Sequence, residues 1–308
     1  MNGITLPPPA RHLPFQAGPY RMAMGLLARP LHEMIAIDAD YPAQMALRRT
    51  LLDERSPDVF AAIPGSEAAR AAALAHVADV LCGAYPHWFA RDAGVLHNRL
   101  TGEAWRLAAP ERDPLEVAAL LVQEDLCIVA PAGEALGEGG PHLIAGAVCF
   151  PSHWSLREKI GRPLVAVHGP VPLYAERLAR PVDRLMTELK PGRLVERMNW
   201  GVTDDAHLFR PAGHGRTAPN PTITPHNAGV ALFLRVERQT LSRIATGDVL
   251  FTIRVYVTKL HEAVASAAAA ARLAAAIRVL PPEIGRYKSI VPFREAVLAW
   301  LDARAAAG

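Results

Sequence analysis

The chain has 308 residues, of which 51% are hydrophobic and 20% charged, and it carries a net charge of +3. That length buries a large core, the composition is that of an ordinary globular protein, and so small a charge without a polybasic tract argues against nucleic acid as main partner. No apolar run reaches the ~18 residues of a membrane span, and Cys82, Cys127 and Cys149 sit singly in apolar runs, as expected of buried thiols in a reducing cytoplasm.

The opening MNGITLPPPARHLPF lacks a basic start followed by an apolar stretch, so residues 1–20 read as an extended, proline-stiffened arm and not a secretion signal. No repeat or low-complexity linker divides residues 21–308, which read as one domain. Apolar residues fall at helical spacing over 41–55 and 66–86, with Ser66 as N-cap and Pro86 as stop. A further helix is expected over 113–125, with Asp113 as cap, Pro114 at the first position and Glu116 completing a capping box.

The stretches LCIVA (126–130) and HLIAGAVCF (142–150), joined by a turn-rich segment, predict a β-hairpin. Ser155 and Glu158 predict a short capped helix closed by Gly161, and 174–190 reads as a helix interrupted at Pro181. Three strands with period-2 patterning follow at 194–202, 229–241 and 248–257, then an Ala-rich helix (261–278) and a last one (292–306). Strand after strand in the second half argues against a doubly wound parallel sheet. The fold class is α+β, an antiparallel sheet wrapped by helices.

No phosphate-binding glycine loop, GxSxG or HExxH is present, and no histidine opens an HxD or HxE pair. What stands out is polarity on patterned strands: Arg197 and Asn199 share one face of their strand, and Phe233, Arg235, Glu237 and Gln239 share one face of theirs. Such a face is solvated, or a structural ion-pair network of Arg235 and Glu237, or the polar wall of a ligand cavity. The stretch WSLREKIGRPLVAVHGPVP (154–172) raises a second question, because prolines stiffen the chain just after His168. An imidazole held that way is either a hydrogen-bonding loop residue or a haem ligand, and His153, beside Trp154, is the competing candidate for the ligand.

Several motifs in order, FPSHWSLREKIGRPLVAVHGPVPLY (150–174), RMNWGV (197–202), RVERQTLSRI (235–244) and YKSI (287–290), with IDADY (37–41) and LVQEDLCIV (121–129), resemble the haem-dependent oxidative N-demethylase family from about residue 20 to the end. The resemblance implies a PAS-like haem-binding core and haem b held by histidine, with His168 in the ligand position. It also implies oxidative demethylation of a small dimethylamine-like amine: dioxygen, two electrons and two protons give formaldehyde, water and the shortened amine. With it, Glu237 and Arg235 become candidate catalytic residues, Glu237 facing the cationic amine. Arg197, Arg235 and Trp154 become candidate haem-binding residues. The chain has no flavin or nicotinamide motif, so electrons are expected from a separate NAD(P)H-linked reductase or ferredoxin-like subunit. The apolar strand faces leave room for a homodimer. The competing reading is a haem-binding PAS-like sensor, or a ligand-binding protein without catalysis.

Overall fold

Ten strands can be traced through the computed structural model, which describes residues 5–131, 136–137 and 139–307. They are β1 (Leu27–Arg29), β2 (Phe60–Ala62), β3 (Phe89–Asp92), β4 (Val95–Asn98), β5 (Glu103–Arg106), β6 (Asp125–Ala130), β7 (His142–Ala147), β8 (Leu194–Thr203), β9 (Phe233–Arg243) and β10 (Val249–Lys259). Seven form one antiparallel sheet in the order β1-β8-β9-β10-β6-β7-β2, and β3-β4-β5 form a separate meander. The α+β class is therefore observed. The expected hairpin is β6–β7; residues 132–135 and 138 of its connection lie outside the described residues.

The helices are α1 (Tyr41–Glu54), α2 (Ser56–Val59), α3 (Glu67–Ala84), α4 (Pro114–Ala119), α5 (Leu164–Val167), α6 (Tyr174–Arg177), α7 (Ala179–Glu188), α8 (Ala228–Ala231), α9 (Leu260–Ala263), α10 (Ala267–Arg278), α11 (Pro282–Tyr287) and α12 (Arg294–Ala306). None is long and apolar enough to cross a membrane. Leu234, Val236 and Tyr256 on one face of β9–β10 pack against α10 and α12. Leu241 and Val249 on the other face pack against Leu164 of α5 and Met186 of α7. Cys127 and Cys149 are buried free thiols, and burial pushes both thiols well up.

Several expected boundaries move, each for a local reason. The helix over 113–125 ends at Ala119: Asp113 caps it by accepting from the Leu115 N–H, but Glu116 turns to Ser56 instead of completing a box. Residues 155–161 form turns and no helix. The 174–190 helix breaks at Leu178, upstream of Pro181, because the proline ring would meet the carbonyl of Arg177 and is tolerated only in the first turn of α7. Residues 229–232 belong to α8 and its end, not to β9, and Val230 is accordingly 58% exposed. The Ala-rich stretch splits in two, with Ser266 capping α10 through the Ala269 N–H. The meander β3–β5 and the short strands β1 and β2 were not expected.

The IDADY and LVQED motifs meet in the core. Arg254 of β10, fully buried, donates to Asp38 Oδ2 (2.6 Å) and Gln44 Oε1 (2.9 Å), and Gln123 bridges the same two side chains. Arg48 donates to Asp125 Oδ1 at 3.1 Å, and Asp125 accepts the backbone N–H groups of Cys149 and Phe150. These motifs build structure: they lock α1 and the end of α4 to the sheet.

Candidate functional site

β8 and β9 pair so that Arg197 lies opposite Gln239, Asn199 opposite Glu237 and Gly201 opposite Arg235, all on one face. The pairing with β1 reaches only Glu196, so from Arg197 onward β8 is the sheet edge. Where β6 and β7 are buried throughout, Arg197, Asn199 and Glu237 stay half-buried. A polar, partly open wall is the result.

His168 stands at the end of α5. Its Nδ1 lies 2.9 Å from the Leu164 carbonyl, which can only accept, so Nδ1 carries the proton and Nε2 keeps its lone pair. The GPVPLY turn places Leu173 in the left-handed region (φ 64) and folds the Tyr174 ring onto the imidazole, with centroids 4.2 Å apart and planes 10° from parallel. That stacking, with the Leu164 bond, explains the stiffness of the segment. Trp154 acts at one remove: Lys159 Nζ sits 5.2 Å above its ring and donates to the Val167 carbonyl at 2.6 Å, beside His168. Burial pushes the imidazole down to about 4; the Leu164 bond opposes this, and Lys159 and Arg197 reinforce it.

His153 is differently placed. It takes φ 61, its Nδ1 donates to the Ala212 carbonyl at 2.7 Å, and its Nε2 accepts from Arg210. Both ring nitrogens are engaged, so of the two sequence candidates His168 alone offers a nitrogen to a metal.

Arg235 does not present its charge to the open wall. Its terminal nitrogens donate to the carbonyls of Phe150, Pro151, His207 and Leu208, at 2.7–3.2 Å. Arg243, on the same face of β9, grips the carbonyls of Met186, Thr187, Leu189 and Gly247 in the same way. The two arginines anchor the connections on either side of the wall.

Between these anchors the wall carries a hydrogen-bonded chain. Arg197 Nη1 donates to Gln239 Oε1 (3.2 Å), and Gln239 Nε2 donates to Glu237 Oε2 (2.9 Å). Asn199 Nδ2 donates to the same oxygen at 3.4 Å, and Lys288 Nζ donates to Asn199 Oδ1 at 3.0 Å and to the Trp200 carbonyl. Burial pushes Lys288 down to about 8; Glu237 opposes and Arg197 adds to the shift. Tyr287 is pushed up to about 12, by burial and then by Glu237.

Lys288 and Tyr287 arrive through the end of α11. Ser289 takes the left-handed position (φ 53), its N–H bonds to Arg286 and the Ile290 N–H bonds to Gly285, so YKSI is a Schellman cap. The 204–227 connection braces this corner: Arg216 N–H donates to Ser289 Oγ (3.2 Å) and Asn220 N–H to the Pro292 carbonyl (2.9 Å). Tyr174, Tyr287, Lys288 and the orienting roles of Asn199 and Gln239 were not anticipated as site features. The period-2 pattern and the YKSI motif were the signals available for finding them.

A family profile, haem-dependent oxidative N-demethylase, alpha subunit-like, matches residues 25–298. The chain belongs to that family. Its class is accordingly that of haem-dependent oxidative N-demethylase-like oxidoreductases.

Proposed function

We propose that His168 and the β8–β9 wall form a haem pocket in which a small N-methylamine undergoes oxidative demethylation. The observation that carries this reading is the imidazole of His168, with Nδ1 fixed by the Leu164 carbonyl and Nε2 bonded to no described residue. The rest of the donor set fits such a group. The Tyr174 hydroxyl and Arg197 Nε are buried without a hydrogen-bond partner among the described residues, and burying such donors is costly unless something accepts from them. Histidine ligation fits haem b. The PAS-like reading of the core is supported by β6–β10: two strands, a helical insertion, then three strands, with the first beside the last.

His168 Nε2 is the atom for the iron, Arg197 Nε suits a propionate, and Trp154 steadies the ligand through Lys159. Haem, when bound, supplies the activation of dioxygen, with two electrons delivered from outside the chain. Glu237 Oε1 takes no hydrogen bond from a described residue and is the group to hold the cationic nitrogen of the amine. Arg235 fixes the carbonyls at 150–151 and 207–208, so its part is to position the FPSHW segment beside the pocket. A separate NAD(P)H-linked reductase or ferredoxin-like subunit as donor is in keeping with the words alpha subunit in the family description.

The test is turnover. Haem-loaded protein given dimethylamine, dioxygen, NADPH and an added reductase is expected to release formaldehyde, and to release none without the reductase. Fully reduced, haem-loaded protein that releases no formaldehyde from dimethylamine or any larger N-methylamine overturns the reading.

A further inference from the structure

Lysine and arginine side chains have only donors. A side-chain amide that meets one must turn its oxygen toward the cation and its NH₂ group away. At two places on the β8–β9 wall this rule fixes an amide: Lys288 orients Asn199, and Arg197 orients Gln239. Both NH₂ groups then point at one atom, Glu237 Oε2. The amide orientations thus follow from their neighbours, and no rotation about the last bond satisfies both ends equally.

The charges are also kept apart. No described basic nitrogen lies within 4.0 Å of the Glu237 carboxylate, although Arg197 and Lys288 are one amide away. Three buried carboxylates meet their cations directly: Asp38 with Arg254 (2.6 Å), Glu196 with Arg238 (2.5 Å) and Asp125 with Arg48 (3.1 Å). At Glu237 the amides engage Oε2, and Oε1 takes no hydrogen bond from a described residue.

We propose that Asn199 and Gln239, each set by its cation, are positioning residues that aim Glu237 Oε1 at a ligand cation, and that Lys288 strengthens cation binding despite its own positive charge. This rests on the amine-binding reading of Glu237. It inverts the simplest electrostatic expectation, under which removing a nearby positive charge improves the binding of a cation.

The test is a calorimetric titration of haem-loaded protein with dimethylammonium chloride, for wild type, Glu237→Gln, Lys288→Met, Gln239→Leu and the two double variants that combine Glu237→Gln with each of the others. Soret maximum and melting midpoint confirm fold and haem in each. Lys288→Met is expected to weaken dimethylammonium binding about tenfold, the worth of one charge-assisted hydrogen bond. Gln239→Leu does the same, and neither weakens binding further when Glu237→Gln is already present, because both act through that carboxylate. Unchanged or tighter binding by Lys288→Met, or full additivity with Glu237→Gln in either pair, overturns the positioning role and leaves Glu237 as the amine site. Equal binding by wild type and Glu237→Gln overturns both.

Discussion

Two polar clusters lie on opposite faces of the β8–β9–β10 sheet and handle charge in opposite ways. On one face Arg254 meets Asp38 and Arg238 meets Glu196 in direct ion pairs whose side chains are all less than one-tenth exposed. On the other face Arg197, Lys288 and Glu237 are separated by amides, and the wall stays half-buried. A direct pair settles a buried charge within the fold. An amide-spaced carboxylate is held in place with capacity left over, which is what a binding site requires.

The difference is open to attack from both sides. Replacing Arg254 with Met strands Asp38, so unfolding by denaturant is expected to show a loss of about 3–5 kcal/mol, much of it recovered in Arg254→Met/Asp38→Leu. On the open face, Glu237→Gln is expected to leave the denaturation midpoint almost unmoved while weakening dimethylammonium binding about 10- to 100-fold, as loss of a charged hydrogen bond dictates. A large stability loss there would make Glu237 another structural carboxylate.

Arg235 is intermediate, a buried cation satisfied by carbonyls instead of a carboxylate. Arg235→Met leaves those carbonyls short of a donor, at a cost of about 1–3 kcal/mol. Hydrogen exchange is expected to quicken at 150–153 and 207–210 before it does so in the sheet.

The smallest effect concerns Lys288, which burial, opposed by Glu237 and reinforced by Arg197, pushes down to about 8 from its usual 10.5. Between these values the unfolded chain holds a proton there that the folded chain has released. Stability at this site therefore rises with pH from about 8 to 10.5. Lys288→Met flattens that part of the stability–pH curve, and an unchanged curve contradicts the burial of the ammonium.

Much of the fold was legible because alternation is a strong signal. The Arg197/Asn199 and Arg235/Glu237/Gln239 faces are where period-2 counting puts them. The meander β3–β5 escaped because its strands have four residues each, too few for a pattern to build up. The amide relay was not legible for a different reason: that Asn199 faces Glu237 and Arg197 faces Gln239 depends on register, which is set by how β8 and β9 pair across a long connection. Apart from the family resemblance, which favours His168, nothing in the residues themselves ranked His153 and His168. They differ only in what the folded chain offers their nitrogens, Arg210 and Ala212 for one, Leu164 and the Tyr174 ring for the other.

The most direct measurement is the Soret spectrum of haem-reconstituted wild type beside His168→Ala and His153→Ala, each verified as folded. The account predicts a sharp band in wild type and His153→Ala and its loss in His168→Ala. A band that survives in His168→Ala and vanishes in His153→Ala would contradict it.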